Sequence, residues 1–400
     1  MSDLGKYLMD GIAGVALVLA LMIVFFVDFL MSWMGGPGKN TLEGVTVISI
    51  ASHGKKLKLG VTETGEQVNP FTKQLEKYDD MGKLLKELGA GYKDFDNLKI
   101  NDLVNTKKIF DYDVVFLTCH TGGEEELKNV LKDYVMEGGI LYASDLRFNA
   151  VAKAFPDEIA QSLVGQGHPQ ELEADIVDPG LRDYLTADKK MADHLKNGKM
   201  PLKFDLGEWR PAAFGSPRTK VLLQGKYKKL TRPGQQDQGF ADAPLMAKFQ
   251  LGKGTVVFTS FHNEKQNSEI EKKLLEYLVF SLVTAGVDAD INAKLDQSGF
   301  AAQRSNLLST PKNNPEIKKE YKNEKVADLR FALGFRDGEK AKLRFHIKSP
   351  DGKEYTVERE SSVIMEVAGA KAGNWTYTVT ALNLPYENFP FTVTVGEKKK

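Results

Sequence analysis

Residues 112–145 read YDVVFLTCHTGGEEELKNVLKDYVMEGGILYASD, and the prediction of the fold begins with this stretch. The apolar, β-branched run at residues 113–118 indicates a buried strand. Residues 124–136 begin with acidic side chains, which suit the positive end of a helix dipole, and stop at a Gly-Gly pair, so they predict a helix. A second apolar run at residues 140–143 indicates another strand. The order strand, helix, strand is typical of a parallel sheet covered by helices.

The same alternation continues on both sides of this stretch. Unbroken apolar runs indicate strands, and apolar positions at a helical spacing indicate helices. The elements predicted in this way are a strand, a helix, a hairpin of two strands and a second helix, at residues 45–50, 70–89, 244–249 with 255–259, and 268–283. The sequence therefore predicts an α/β domain over residues 41–290, in which residues 150–240 form a variable, turn-rich insert.

The last part of the chain has a different pattern, with short alternating runs bounded by turn residues. Strands that recur about every ten residues in this way indicate a β-sandwich. The predicted strands lie at residues 328–333, 342–347, 355–357, 363–367, 374–380 and 390–395. We therefore expect a β-sandwich over residues 326–400, with Trp375 in its core, after a Pro- and Lys-rich linker over residues 291–325.

The amino-terminal segment predicts a membrane anchor. Residues 11–27 are uncharged and apolar, Asp28 interrupts them, and residues 29–34 continue the run until glycines and a proline end it. A helix needs about 20 such residues to cross a bilayer. A secretory signal peptide, the competing interpretation, would need a basic start and a small-residue cleavage site. We expect residues 1–40 to form a single transmembrane helix and a hinge in a cell membrane, with most of the chain outside the cytoplasm.

The composition limits the classes of function. The 400 residues contain 54 Lys and Arg and 54 Asp and Glu, so the formal net charge is zero and no basic field exists to hold a nucleic acid. Cys119 is the only cysteine, which excludes an intramolecular disulfide and a multi-cysteine metal site. Chemistry must therefore come from carboxylates, six histidines and one thiol.

Two stretches resemble the class I glutamine amidotransferase-like superfamily, namely residues 112–145 and the sequence GKGTVVFTSFHNE at residues 252–264. They are most similar to its non-catalytic, trehalose-utilisation-like branch, and the likeness covers residues 44–284. This resemblance implies a flavodoxin-like three-layer α/β/α domain. Further on, SPDGKEYTV and AGNWTYTVTALN, which begin at Ser349 and Ala372, resemble the immunoglobulin-like accessory domains of exported bacterial proteins.

The departures from the superfamily bear on catalysis. Its catalytic members carry a cysteine in a tight strand-to-helix turn, so that the thiolate stands exposed above the sheet. The matching strand here ends in Ser144 and Asp145, and Cys119 follows the preceding strand instead. The histidine and glutamate of the amidotransferase triad are absent in their usual form, although His262 and Glu264 have the same residue types. The resemblance therefore implies a protein without amidotransferase activity.

Several polar side chains follow the ends of predicted strands. Since ligands bind at the carboxyl ends of the strands in open α/β sheets, we expect a ligand pocket there. Its candidate residues are His120, Ser144, Asp145, His262 and Glu264. A thiol beside a histidine can also be a nucleophile, so Cys119 and His262 are candidate catalytic residues; the other interpretation is a buried thiol with histidines that cap strand ends. Two histidines and Asp145 could also hold a metal, but metal ligands usually lie closer together along the chain, so we predict no metal. No cofactor is expected.

Asp10 lies just before the apolar amino-terminal run. A carboxylate at membrane depth is costly and suggests a function. The placement of Asp10 resembles that of the proton-carrying aspartate in the single-span subunits of proton-driven motors, which implies a proton relay at Asp10. Such a subunit needs a multi-span partner, because one helix cannot enclose a proton path. The other interpretation is that Asp10 caps the helix at the membrane interface.

These observations predict a membrane-anchored, non-enzymatic binding or scaffold component of a cell-envelope complex, and in its sharper form a motor subunit with Asp10 as proton carrier. The alternative is a hydrolase or amidotransferase-like enzyme that uses Cys119 and His262, which requires both side chains to converge at one pocket with an acidic group. The expected partners are the lipid bilayer and either a multi-span membrane protein or a second copy of the chain. No nucleic-acid partner is expected.

Overall fold

The computed structural model of the chain describes residues 40–42, 44–50, 55–68, 75–77, 79–160, 165–205, 208–310, 316–338 and 340–399. Strand makes up 43% of the structure and helix 25%. The predicted fold class, an α/β protein with one transmembrane helix, a flavodoxin-like three-layer domain and a C-terminal β-sandwich, is therefore wrong, because the chain is mostly β. Strands in regions expected to be loops account for the difference.

Strands outnumber helices along the described part of the chain. The first strands are β1 (Asn40–Leu42), β2 (Val45–Ser49), β3 (Leu59–Thr62), β4 (Glu66–Val68), β5 (Leu75–Lys77), β6 (Phe95–Leu98), β7 (Val114–Leu117), β8 (Ile140–Ser144), β9 (Ile159–Ala160), β10 (Gln170–Ile176), β11 (Met200–Phe204) and β12 (Ala213–Phe214). The later strands are β13 (Thr219–Lys228), β14 (Phe240–Leu251), β15 (Gly254–Thr259), β16 (Phe300–Thr310), β17 (Glu316–Asn323), β18 (Ala327–Gly334), β19 (Lys342–Lys348), β20 (Glu354–Arg359), β21 (Val363–Ala370), β22 (Gly373–Asn383) and β23 (Phe389–Lys398). The helices are α1 (Met81–Leu88), α2 (Ile100–Asn105), α3 (Glu124–Glu137), α4 (Phe148–Ala154), α5 (Pro179–Leu185), α6 (Lys189–Ala192) and α7 (Glu269–Gln297).

The largest sheet has nine strands in the order β11-β10-β13-β14-β15-β8-β7-β3-β6. The strands from β15 to β6 are parallel, and in register Val115 of β7 lies between Leu141 of β8 and Gly60 of β3. The strands β14, β13, β10 and β11 extend this sheet in antiparallel fashion. The predicted insert at residues 150–240 therefore contributes strands to the sheet, since β10 and β13 hold apolar side chains at alternating positions that pack on the core.

Helices cover both faces of the parallel part of this sheet. Val115 and Leu117 of β7 pack with α3 and α4 in one apolar cluster. Val114 and Phe116 of the same strand point to the other face, where α1 and the first half of α7 form a second cluster. Because both faces are buried, these strands are unbroken apolar runs, which is the pattern by which the sequence predicted them.

The carboxyl-terminal part of the chain is a β-sandwich. Its six-stranded sheet has the order β1-β2-β21-β18-β23-β16, its four-stranded sheet has the order β17-β22-β19-β20, and neighbouring strands are antiparallel. Trp375 is 1% exposed between the sheets, and its ring lies 5.5 Å from that of Phe331. The prediction that Trp375 fills the core is confirmed. Residues 45–50, predicted as part of the α/β domain, instead pair with β21 of the sandwich.

The helix α7 joins the two parts of the molecule. It continues to Gln297, beyond the predicted end at residue 283, and strands β16 and β17 follow it where a linker over residues 291–325 was expected. Val287, Ile291 and Leu295 recur every four residues and pack on the six-stranded sheet. The second half of the helix is therefore stabilised by the sandwich, and the expected linker is largely regular structure.

The expected single-pass membrane architecture is also corrected. Across the described residues, no helix is both long and apolar enough to span a bilayer. The predicted span at residues 11–34, Asp10 and Asp28 lie outside the described residues.

Candidate functional site

Three adjacent parallel strands bring a thiol, a carboxylate and an imidazole together. Cys119 lies two residues beyond β7, Asp145 directly follows β8, and His262 lies three residues beyond β15. Since the sheet order is β15-β8-β7, these positions are neighbours at the carboxyl edge. One ligand atom from each side chain lies within 4.8 Å of the other two, and all three side chains are buried. The requirement that Cys119 and His262 converge beside an acidic group is met.

Asp145 occupies a strand-to-helix elbow. Its φ of 38° is in the left-handed region, between β8 and the turn that leads into α4. The backbone N–H of Arg210 donates a hydrogen bond of 2.6 Å to Asp145 Oδ1, which fixes the carboxylate. This strand-to-helix turn therefore carries a carboxylate that is 0% exposed, and Cys119 lies at the end of the neighbouring strand.

His262 lies between two carboxylates. Its Nε2 is 3.3 Å from Asp145 Oδ2, and its Nδ1 is 3.3 Å from Asp205 Oδ1. Burial alone lowers the pKa of His262, but the hydrogen bonds to Asp145 and Asp205 outweigh it and raise the pKa well above its ordinary value. Burial raises the pKa of Asp145. Because Asp145 and His262 are in contact, the two side chains titrate as one unit.

Cys119 is a buried thiol at the edge of this unit. Its Sγ lies 3.9 Å from Asp145 Oδ2, and the side chain is 0% exposed. Burial raises the pKa of the Cys119 thiol, and the neighbouring His262 offsets only part of that effect. The thiol form is therefore favoured over the thiolate.

Asp79 connects the strand ends beneath this cluster. Its carboxylate accepts hydrogen bonds from Ser144 Oγ at 2.5 Å, from the Asn263 N–H at 3.2 Å and from the Cys119 N–H at 3.4 Å. The neighbouring Asp80 caps α1 by accepting from the Lys83 N–H. The sequence analysis did not identify Asp79. An Asp-Asp pair directly before an apolar helix is an N-cap signature and was the available signal.

Asp205 and Arg147 are further site residues that the sequence analysis missed. The Arg147 guanidinium is 1% exposed, and it donates to the carbonyl oxygens of Thr118 at 3.1 Å and Gly122 at 2.9 Å, which holds the loop after β7 in place. Burial lowers the pKa of Arg147 to about 10. No pattern in the sequence pointed to either residue, because Asp205 lies in the turn-rich stretch and Arg147 within a short helical turn.

A cavity of about 1040 Å³ lies next to the cluster. The described residues lining it include the loop after β3, the start of α1, Phe95, Asn97 and His120, and Asp79 belongs to both the cavity wall and the cluster. The loop after β3 is fixed to the backbone of Cys119, whose carbonyl oxygen accepts from the Gly65 N–H at 2.8 Å and from Thr64 Oγ1 at 3.1 Å. Hydrogen bonds to the Cys119 backbone therefore link the cavity wall to the buried cluster.

The predicted site residues fall into two groups. Cys119, Ser144, Asp145 and His262 share one buried network. His120 is exposed and lines the cavity, and Glu264 forms an ion pair of 3.2 Å with Lys83, which also lines it. Asp10, the candidate for a proton relay, lies outside the described residues.

No protein-family model matches the chain, and no curated protein matches its sequence. Solved structures that are similar to it include a cytoplasmic protein of Salmonella typhimurium (12% identity, 56% of this chain and 98% of that chain, TM-score 0.36). A protein of Bacteroides uniformis described as ThuA-like has 12% identity over 59% of this chain and 95% of that chain, with a TM-score of 0.38. A protein of Thermoplasma acidophilum described as a GMP synthase subunit has 12% identity over 62% of this chain and 100% of that chain, with a TM-score of 0.31.

The likeness is distant, and the geometry of the site itself carries the proposals that follow.

Proposed function

We propose that this chain is a non-enzymatic binding protein that holds a small polar ligand in the cavity at the carboxyl edge of its parallel sheet. The carrying observation is the elbow after β8. Its side chain is the buried carboxylate of Asp145, fixed by the Arg210 N–H and facing His262, so the turn presents no thiol or hydroxyl group. The cavity beside it is of the size that binds small molecules.

The chemistry of the cavity wall favours an uncharged or cationic ligand rich in hydroxyl groups, such as a small saccharide or an amino sugar. The described lining contains five carboxylates and three lysines. Two of these lysines already pair with protein carboxylates, Lys83 with Glu264 and Lys77 with Asp80. The excess of carboxylates repels anions and accepts hydrogen bonds from hydroxyl groups. Phe95 adds an apolar surface at the wall.

Isothermal titration calorimetry of the full chain tests this proposal, with glucose, maltose and glucosamine as probes and glucose 6-phosphate as the anionic comparison. We expect saturable binding of at least one neutral or cationic probe and weaker binding of the phosphate ester. Glu63→Gln and Asn97→Ala, both in the cavity wall, should each weaken binding, the former by about tenfold or more, as for loss of a hydrogen bond to a charged group.

Glu126→Gln is the matched control, because Glu126 is an exposed carboxylate at the start of α3 and away from the cavity. Its binding should equal that of the unaltered protein. Absence of saturable heat for every probe, or tightest binding of glucose 6-phosphate, would contradict the proposal.

A second candidate function is hydrolysis by Cys119, because Cys119, Asp145 and His262 converge within 4.8 Å. In that case Cys119 Sγ would attack an amide carbonyl, ammonia would leave, and water would release the acid and restore the thiol. Incubation of the full chain with L-glutamine, with ammonia measured over time, tests this function. Ammonia release that is lost in Cys119→Ala would establish it, and no release above the Cys119→Ala background would exclude glutamine hydrolysis.

A further inference from the structure

We infer that Cys119, Asp145 and His262 form a binding site for a divalent transition metal of the Zn²⁺ class. The ligand atoms are Cys119 Sγ, Asp145 Oδ2 and His262 Nε2, one from the end of each of three adjacent strands. This inference goes beyond the proposed ligand binding in the cavity and rests on a different set of atoms.

The separations between these atoms fit a tetrahedral metal site. Zn–S bonds of about 2.3 Å and Zn–N and Zn–O bonds of about 2.0 Å place N and O about 3.3 Å apart, and S and O about 3.5 Å apart. The observed distances are 3.3 Å between His262 Nε2 and Asp145 Oδ2, and 3.9 Å between Cys119 Sγ and Asp145 Oδ2. The third separation, between Cys119 Sγ and His262 Nε2, is within 4.8 Å, so the side chains would move closer together on binding an ion.

The groups around these ligands already orient them as metal ligands are oriented. His262 Nδ1 faces Asp205 Oδ1 at 3.3 Å, which leaves Nε2 for the metal. A histidine that binds a metal usually donates its other ring N–H to such a carboxylate, which orients the ring. The Arg210 N–H occupies Asp145 Oδ1 and leaves Oδ2 on the metal side.

An unpaired carboxylate oxygen beside these ligands is a second observation, independent of the distances. Asp205 Oδ2 is buried and has no hydrogen-bond partner among the described residues. The site thus gathers two carboxylates and a thiol, while the nearby Arg147 guanidinium makes its hydrogen bonds to carbonyl oxygens of the loop after β7. Burying these acidic groups together is costly, and a divalent ion bound to them would offset that cost.

The mixed donor set selects the kind of metal. Mg²⁺ and Ca²⁺ prefer sites made of oxygen ligands alone, whereas sulfur and imidazole nitrogen suit Zn²⁺ and Co²⁺. Three protein ligands leave a fourth position for water. Because the Cys119 carbonyl also holds the loop after β3, metal at this site would brace the wall of the cavity.

The test uses the full chain, stripped of metal by a chelator and then titrated with Zn²⁺ and Co²⁺. We expect one ion per chain, a higher melting temperature with Zn²⁺, and for Co²⁺ a thiolate-to-metal charge-transfer band in the near-ultraviolet. Cys119→Ser should remove that band, and Asp205→Asn should weaken Zn²⁺ binding by about 10–100-fold. His194→Gln, at an exposed histidine outside the cluster, should bind as the unaltered protein does.

Circular dichroism of each variant checks that it is folded. If Cys119→Ser does not fold, the unaltered protein and Asp205→Asn still test the inference. Absence of saturable Zn²⁺ and Co²⁺ binding in the unaltered protein would overturn the inference. So would a Co²⁺ spectrum that is the same in folded Cys119→Ser. Neither readout involves a saccharide, so this result and that of the cavity titration are separate.

Discussion

At the scale of single residues, the environment of Cys119 determines what the site can do. The thiol is buried, its sulfur faces Asp145, and burial raises its pKa. A nucleophilic cysteine needs the opposite, namely an accessible sulfur with a lowered pKa. The residue-scale chemistry therefore disfavours Cys119 as a nucleophile.

The reactivity of Cys119 is the first prediction. In the native protein Cys119 should react with an aromatic disulfide reagent at least about a hundredfold more slowly than in the unfolded chain, because reaction requires the strand ends to open. Absorbance at pH 8 with and without denaturant gives both rates. Since Cys119 is the only cysteine, Cys119→Ala supplies the blank. Native and unfolded rates that agree would contradict the buried placement.

Asp351 predicts a pH dependence of stability. A hydrogen bond from Ser349, with an ion pair to Lys371, lowers the pKa of Asp351 to about 2. In the unfolded chain the Asp351 carboxyl group has a pKa of about 3.9. The ionised carboxylate therefore stabilises the fold above that pH, and this stabilisation is lost as the pH falls toward 2.

Asp351→Asn should therefore lower the melting temperature slightly at pH 7, and the difference should disappear near pH 2. Thermal melts of both proteins from pH 2 to pH 7 measure this. Asp133→Asn, at an exposed position of α3, should show no such pH-dependent difference. An Asp351→Asn difference that is equal at both pH values would refute the mechanism.

At the scale of elements, periodicity predicted the three longest helices and about half of the strands but not their partners. The strand, helix and strand of residues 112–145 and the six predicted sandwich strands, β18 to β23, lie where the sequence placed them. The sandwich strands β16 and β17 lie in the expected linker. Residues 45–50 were correctly predicted as a strand but assigned to the wrong sheet, because alternation identifies a strand and not its neighbour. The stripe of Val287, Ile291 and Leu295 had the spacing of a helix and was overlooked.

The candidate site was predictable to the extent that strand ends define it. Cys119, Asp145 and His262 each follow an apolar run, so the parallel order of the strands brings them together. Asp79 and Asp205 approach from outside these strands, and their contribution depends on the path of long connections. Those paths are set by tertiary packing, which local sequence patterns do not encode.

The amino-terminal cap of α7 gives a prediction at this scale. The Glu271 N–H donates to Ser268 Oγ at 3.4 Å, and the Ser268 N–H donates to Glu271 Oε2 at 2.7 Å, which is a capping box. Ser268→Ala should lower the free energy of unfolding by about 1 kcal/mol, measured by urea denaturation.

Ser298→Ala is the matched control at the other end of the helix, where the exposed hydroxyl of Ser298 donates to the Lys294 carbonyl oxygen at 2.9 Å. Its effect should stay within about 0.5 kcal/mol, as for most surface substitutions. Equal losses for the two variants would show that the cap has no special contribution.

At the scale of the whole molecule, the two parts share elements. The strand β2 precedes the nine-stranded sheet in the chain yet pairs with β21 of the sandwich. The helix α7 packs its first half on the nine-stranded sheet and its second half on the sandwich. Because α7 packs on both parts and the sandwich includes β2, we expect the two parts to unfold together.

The expected partners stay predictions. They are the lipid bilayer and either a multi-span membrane protein or a second copy of the chain, and no nucleic acid is expected.

Ile291 tests this coupling. It is 0% exposed and lies against Gly334 of β18, where an added Cβ would be 2.4 Å from the Ile291 Cδ1 atom. Ile291→Ala should cost about 2–5 kcal/mol and keep a single unfolding transition in calorimetry, at a lower temperature. Val326→Ala removes aliphatic atoms at a position that is 67% exposed and should leave the transition nearly unchanged. Two separate transitions in the unaltered protein would contradict the shared-element architecture.

The proposed function has two parts, binding of a small polar ligand at the carboxyl edge and no transformation of that ligand. Saturation-transfer difference NMR of the full chain with glucose, maltose and glucosamine tests both halves of the claim in one experiment. We predict transfer to the resonances of at least one compound, a reduced signal with Asn97→Ala, and no new resonances over time. Absence of transfer for all three compounds, or the growth of product resonances that Cys119→Ala abolishes, would contradict it.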